Sequence, residues 1–269
     1  MEQSTMDRRI YALAREYLLG IERVTPQMLE RHLSPTQDRS NTTLAGIYRQ
    51  LLESAQNAQM GRNVIGGSIG GIDNLAPLLC GFEPAEIVGQ RWGGWEQVLD
   101  EIVEKLKPRG QIRRTPKSLW PRFCRTILSG AAFLARFDKS DDFYAWVDFF
   151  DQDDRARASL PMLLDHEIDG LGFPLACDFL KELGYVNFGK PDVHLKKIFA
   201  TLRLSPREDD YEVFKAIVRV ARNVGVTPYN VDKVFWLIGS GNFYLDEVEV
   251  GRHREDFIAH AQARGDAGL

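Results

Sequence analysis

Apolar residues recur along this chain at spacings of three and four, the repeat of a helix that buries one face. Leu44, Ile47, Tyr48, Leu51 and Leu52 show it, and so do Trp95, Val98, Leu99, Ile102, Val103 and Leu106. The pattern predicts helices over residues 5–20, from Pro26, from Leu44 toward Met60, and from Trp95 to a stop at Pro108. It predicts more over 118–136, 141–150, 155–167, 173–183, 192–203 and 210–224, then from Pro228 to Gly239 and onward from Arg252. The punctuation agrees. Thr25-Pro26 and Thr227-Pro228 each set a capping side chain before a first-turn proline, Thr5 is a candidate N-cap, and Gly20 closes the first helix. No stretch sustains period-two alternation and no internal repeat occurs. The expected fold class is all-α.

Composition narrows the class. A chain of 269 residues, 44% hydrophobic and 27% charged, suits a globular protein with one large domain or two intimate ones. No apolar run approaches the ~20 residues of a membrane span. The opening MEQSTMDRRIYALAREYLL has no signal-peptide core, and the three cysteines, Cys80, Cys124 and Cys177, are odd in number and far apart. A cytoplasmic protein with reduced thiols is expected. His32, His166, His194, His253 and His260 make no zinc-ligand spacing with the cysteines or each other. The acidic cluster Asp148, Asp151, Asp153 and Asp154 lacks the glycine and distal glutamate of a calcium loop.

Two features carry candidate chemistry. Between two predicted helices lies Ile168-Asp169-Gly170-Leu171-Gly172-Phe173-Pro174, a Gly-x-Gly turn opening the second helix. Glycines allow positive φ and leave backbone N–H groups unshielded, so the turn and the helix dipole can hold a phosphate. Pro174 falls in the first turn, where its missing N–H costs little. About twenty residues on, Lys190-Pro191-Asp192-Val193-His194 places Asp192 at the start of the next helix. Its carboxylate is suited to two jobs: capping that helix, or stabilising developing positive charge in a reaction.

The order helix, Gly-Leu-Gly hairpin, helix, short loop, Pro-Asp-Val-His resembles the helix-hairpin-helix DNA glycosylases, the superfamily of endonuclease III and of the alkyladenine and 8-oxoguanine glycosylases. The close match spans residues 161–200. The resemblance implies an all-α fold of two helical subdomains with the active site in the cleft between them: residues 40–155 as the central subdomain, 161–183 as the helix-hairpin-helix, and 1–39 with 190–269 as the second subdomain. It implies that Gly170, Leu171 and Gly172 grip the DNA backbone and that Asp192 drives cleavage of the N-glycosidic bond. Strand-cutting relatives carry a Schiff-base lysine two residues after the second hairpin glycine, where this chain has Pro174. A monofunctional enzyme that leaves an abasic site is therefore implied; Lys181 and Lys190 lie nearby but match no family position. Many relatives also hold a four-cysteine iron–sulfur cluster near the C-terminus. No cysteine follows Cys177, so no cofactor is expected. His194 is read as structural, bonding within its turn.

Set beside this resemblance, the remaining signals divide. A net charge of −4 is unexpected for a DNA binder, so distribution must outweigh the sum. From Lys105 to Arg125 the chain holds eight basic residues and no acid, with Trp120 and Phe123 interleaved. Arg113, Arg114 and Lys117 are candidate DNA contacts; the same stretch also reads as a solvated loop. Residues 61–71, rich in glycine and lacking Gly-Lys-Ser/Thr, read as a mobile DNA-facing loop or a plain connector. Trp120 and Trp146 are candidates to stack on a flipped base, though aromatics at helical spacing also build cores. Gln56 and Asn57 either reach a base edge or form a polar helix end. The expected partner is double-stranded DNA with a damaged or modified base, met by a monomer that is nucleoid-associated in a bacterium. A helix-hairpin-helix module that binds DNA without catalysis is the alternative. Which base is excised does not follow.

Overall fold

The computed structural model describes residues 2–35, 39, 41–57 and 64–266, and these are mainly helical. In chain order the helices are α1 (Gln3–Leu19), α2 (Pro26–Leu33), α3 (Leu44–Ala55), α4 (Gly66–Ile69), α5 (Pro84–Gly89), α6 (Trp95–Leu106), α7 (Leu119–Leu134) and α8 (Ser140–Asp151). They continue as α9 (Asp154–Arg157), α10 (Ser159–Glu167), α11 (Phe173–Glu182), α12 (Val193–Thr201), α13 (Asp210–Val224), α14 (Pro228–Ser240) and α15 (Arg254–Asp266). Two 3-10 turns, Ile72–Leu75 and Cys80–Phe82, precede α5. The chain divides into two compact units, one of Asp38–Leu183 and one of Met1–Gln37 with Gly184–Leu269. No helix among the described residues is long and apolar enough to cross a membrane.

In the unit of Asp38–Leu183, α7 is the central element and packs against α3, α5, α6 and α10. Its buried stripe of Phe123, Cys124, Ile127, Ala131 and Leu134 meets Ile47, Tyr48 and Leu51 of α3. Gly130 sets that approach, because a Cβ there would stand 3.0 Å from the Leu51 side chain. The Tyr48 hydroxyl is buried with it and donates to the Ile127 carbonyl at 2.7 Å. Burial of Cys124 in this stripe pushes its thiol up to about 12.

The other unit encloses a second core of α1, α2 and α12–α15. Helix α13 is capped by the Asp209 carboxylate, which accepts from the Glu212 N–H, and ends at Gly225 in the left-handed region. Thr227 and Asn230 form a reciprocal capping box on α14. A buried polar knot ties α1 to α13: Asp7, fully buried, accepts from Arg219 (2.9 and 3.1 Å), Asn223 (2.6 Å) and Gln3 (3.0 Å).

Several local expectations change. Helix α3 stops at Ala55, and residues 58–63, which include the end of the predicted helix and the start of the glycine loop, lie outside the described residues. Within 66–71 four residues are helical, because the Gln56 side chain accepts from the Gly66 N–H. Thr5 lies inside α1, whose N-cap is Glu2; Gln3 holds that first turn through Asp7. The predicted helix 155–167 is broken into α9 and α10, with Arg157 bound to Asp151 and Asp154. The acidic cluster is thus partnered by arginines, since Asp148 pairs with Arg39 and Asp153 with Arg155. Helix α5 went unread. So did the antiparallel pair β1 (Asn242–Phe243) and β2 (Val248–Glu249), whose two-residue strands are too short to show alternation.

Candidate active site and nucleic-acid interface

The hairpin is built by apolar anchors on either side of backbone that must stay bare. Ile168, which ends α10 in extended geometry, and Leu171 are both fully buried and hold the turn to its unit. Leu171 is therefore an anchor, and its contribution to any grip is through backbone. Gly170 has φ +82°, and a Cβ there would sit 2.7 Å from Thr126 Oγ1 and 3.1 Å from the Arg122 carbonyl of α7. Only glycine fits. The Thr126 hydroxyl donates to the Asp169 carbonyl at 2.6 Å, locking turn to helix. Gly172, at φ +65°, differs: nothing lies within 4 Å of its virtual Cβ. Its N–H has no hydrogen-bond partner among the described residues and stands at the N-terminus of α11, the arrangement that receives an anion.

The basic stretch runs through an extended segment between α6 and α7. Arg113 and Lys117 are exposed and make no ion pair among the described residues. Arg114 is bound to Asp100 of α6 at 2.6 Å, so its charge is already balanced. Arg109 braces the segment on α4, its N–H and guanidinium donating to the Ser68 and Gly67 carbonyls at 2.9 Å. Arg122 belongs with the hairpin. Its carbonyl abuts Gly170, and it is four residues from Thr126, hence on the face of α7 that meets the turn. The sequence placed Arg122 in a basic run without showing this neighbour.

The structure shows what the base-stacking and base-edge candidates touch. Trp120 is 5% exposed and packs edge-on to Phe123, inside the core of its unit. Trp146 belongs to a ring cluster with Phe133, Phe137, Phe143 and Phe150. Gln56 is 3% exposed and committed, donating to Glu53 at 2.7 Å and accepting from Gly66 at 3.0 Å. Asn57 donates to the Glu53 carbonyl at 3.4 Å, the polar helix end. Each satisfies a local packing or hydrogen-bond need.

Asp192 lies in the other unit and is the N-cap of α12. One oxygen, Oδ1, accepts from the N–H groups of His194 (2.8 Å) and Leu195 (2.9 Å). The second, Oδ2, has no hydrogen-bond partner among the described residues and is not sealed from solvent. Capping therefore occupies half of the carboxylate. Burial raises its pKa, the Leu195 N–H opposes that, Asp232 raises it further, and His194 and Lys190 oppose; the net shift is upward. Asp232, 2% exposed on α14, accepts from the Lys190 N–H at 3.0 Å. Gly189 presses on α14 as well: a Cβ there would lie 2.6 Å from Ile217, 2.9 Å from the Pro228 carbonyl and 3.4 Å from the Asp232 Cβ. The segment ahead of Asp192 is thus pinned at two points.

His194 departs from its expected role. Its Nδ1 is buried with no partner, and its ring lies where a Cβ on Gly239 would be, 2.4 Å from that position. Among the described residues the ring makes no hydrogen bond in the turn; it packs on α14. Burial lowers its pKa, Asp192 counters this, and Arg254 and Arg252 lower it further, so the ring is neutral near pH 7. Of the two lysines that follow the hairpin in sequence, Lys181 Nζ lies 3.5 Å from Asp178 on α11 and Lys190 precedes Asp192. Pro174, in the first turn of α11, has no amine.

The helical fold matches solved structures of DNA glycosylases. One is the 8-oxoguanine DNA glycosylase of Methanocaldococcus jannaschii, 14% identical, with a TM-score of 0.53 over 87% of this chain and 94% of that one. Another is the 8-oxoguanine glycosylase/lyase of the same organism in complex with a 15mer DNA containing 8-oxoguanine, also 14% identical, with a TM-score of 0.51 over 83% and 94%. At such identity the likeness is one of fold. No family model matches the sequence, and neither does any curated protein.

Proposed function

We propose that this chain is a monofunctional DNA glycosylase: it turns a damaged or modified base out of the duplex and hydrolyses its N-glycosidic bond, leaving an abasic site. The observation that carries the reading is the half-committed carboxylate of Asp192, one oxygen fixed by two N–H groups and the other available. As the C1′–N bond breaks, the base leaves with the electron pair and positive charge builds on the sugar. A fixed carboxylate stabilises that charge. Water then bonds to C1′, and its proton passes to Asp192 and on to the departed base. The upward pKa shift makes the Asp192 carboxylate a better proton acceptor than an ordinary aspartate.

The DNA-gripping role falls to the backbone of Gly170 and Gly172 with Arg113, Lys117 and Arg122, which fix register without reading sequence. Arg114 contributes only if it leaves Asp100. Similarity in fold to a protein crystallised on DNA containing 8-oxoguanine supports a damaged-duplex partner. Pro174 supports base release without strand cleavage.

The test is abasic-site formation by the wild type and Asp192→Asn on duplexes that each carry one modified base, 8-oxoguanine and alkylated purines among them. Breaks that need hot alkali and vanish in the variant establish the reading and name the base. Breaks without alkali refute the monofunctional part. A folded protein that binds the duplexes and releases no base is the non-catalytic module.

A further inference from the structure

The segment that presents Asp192 leans on one buried acid that the chemistry above does not use. We propose that Asp232 is a positioning residue for Asp192, holding the segment 189–191 against α14 and keeping a second carboxylate behind the catalytic one. This rests on the reading of Asp192 as the catalytic group. Two contacts carry it. The Asp232 carboxylate accepts from the Lys190 N–H at 3.0 Å, two residues ahead of Asp192. Gly189 supplies the second: a Cβ there would stand 2.9 Å from the Pro228 carbonyl at the start of α14 and 2.6 Å from Ile217, which leaves no room for a side chain, with the Asp232 Cβ in ordinary contact at 3.4 Å.

The groups facing Asp192 within its unit are Lys190 from the preceding segment, His194 on its own helix and Asp232 on α14; Arg252 and Arg254 face His194. Of these only Asp232 brings a like charge. An asparagine at 232 would hold the same N–H but bring no charge. The carboxylate adds a like charge that opposes ionisation of Asp192 and so maintains its basicity.

Two substitutions separate anchor from charge. Asp232→Asn keeps an acceptor for Lys190 and removes the charge; Asp232→Ala removes both. In single-turnover base release, the acid limb of the pH profile in Asp232→Asn moves to lower pH, by half a unit or about threefold in rate on the limb. The plateau rate in Asp232→Ala falls, and Asp232→Glu restores the limb. A limb that stays in place in Asp232→Asn, or moves upward, overturns the proposal. The same quantity is read without turnover by following the Asp192 carboxyl carbon by NMR through a pH titration of both proteins, with Asp192→Asn to assign the signal. A midpoint that falls in Asp232→Asn supports the coupling even where no base is released, which distinguishes failure here from failure of the glycosylase reading. An unchanged midpoint refutes it.

Discussion

Replacing Asp192 separates its cap from the catalytic duty proposed for it, because asparagine performs the first and alanine neither. Asp192 Oδ1 holds the N–H groups of His194 and Leu195 at 2.8 and 2.9 Å, and an amide oxygen can take the same place. Asparagine and aspartate rank alike as N-caps, whereas alanine at such a position costs about 0.5–2 kcal/mol. Two donors are orphaned here, so Asp192→Ala belongs near the upper end, about 2 kcal/mol. The charge acts in the opposite direction. With the folded-state pKa raised above that of the unfolded chain, the carboxyl's contribution is fully present below the unfolded value and is lost as pH rises through the folded value. Asp192→Asn has no such loss. Urea denaturation across a pH series from acid to neutrality should show Asp192→Asn equal to wild type in acid and more stable than it at pH above the folded value. Asp192→Ala should lie below Asp192→Asn throughout. Base release should fall by about a hundredfold or more in both. An asparagine variant as unstable as the alanine one refutes the cap geometry. One that is stable and still turns over refutes catalysis by Asp192.

Other consequences are independent of that site. Gly170→Ala drives a Cβ to 2.7 Å from Thr126 at positive φ and should weaken the unit of Asp38–Leu183 by more than about 2 kcal/mol. Gly172→Ala meets no atom within 4 Å, so it should cost only about 1 kcal/mol while reducing DNA affinity, because the methyl would stand where a phosphate approaches; equal melting losses in the two variants would contradict this. Asp7→Ala should lower stability by about 1–2 kcal/mol, since it removes the buried acceptor shared by Arg219, Asn223 and Gln3, donors that remain partly open to water. Burial raises the Asp7 pKa, but Arg219, Gln3 and Asn223 outweigh it and the net shift is downward. Its stabilisation is therefore present above the unfolded pKa near 3.8 and lost as pH falls through the folded one, a loss that acid titration of wild type against Asp7→Asn would detect. Thiol labelling of the native protein at pH 8 should be fast at Cys80, which is partly accessible, and slow at Cys124 and Cys177, which are buried.

What could be read from the chain alone divides according to how far the information is spread along it. The hairpin was legible because its requirements are local: two glycines one residue apart, apolar Ile168 and Leu171 beside them, and a proline where a helix begins. Asp192 was legible as a cap for the same reason, and the family resemblance added the catalytic duty proposed for it. The partners of these groups were not legible. Asp232 is forty residues from Asp192, and no periodicity marks an acid on a buried face as the anchor of another segment. Arg122 looked like one charge in a run of eight, whereas the fold sets it apart by laying its carbonyl on Gly170. Gln56 looked like a polar residue at a helix end, free to reach outward, until Gly66 took its oxygen. In Gln56 a polar side chain read as free for a ligand is taken up by a backbone group. A buried N–H without a partner costs about 1–3 kcal/mol, so the fold claims nearby acceptors before any substrate can. That priority makes the free oxygen of Asp192 informative. Among polar groups recruited by the backbone, it is one that the backbone has only half used.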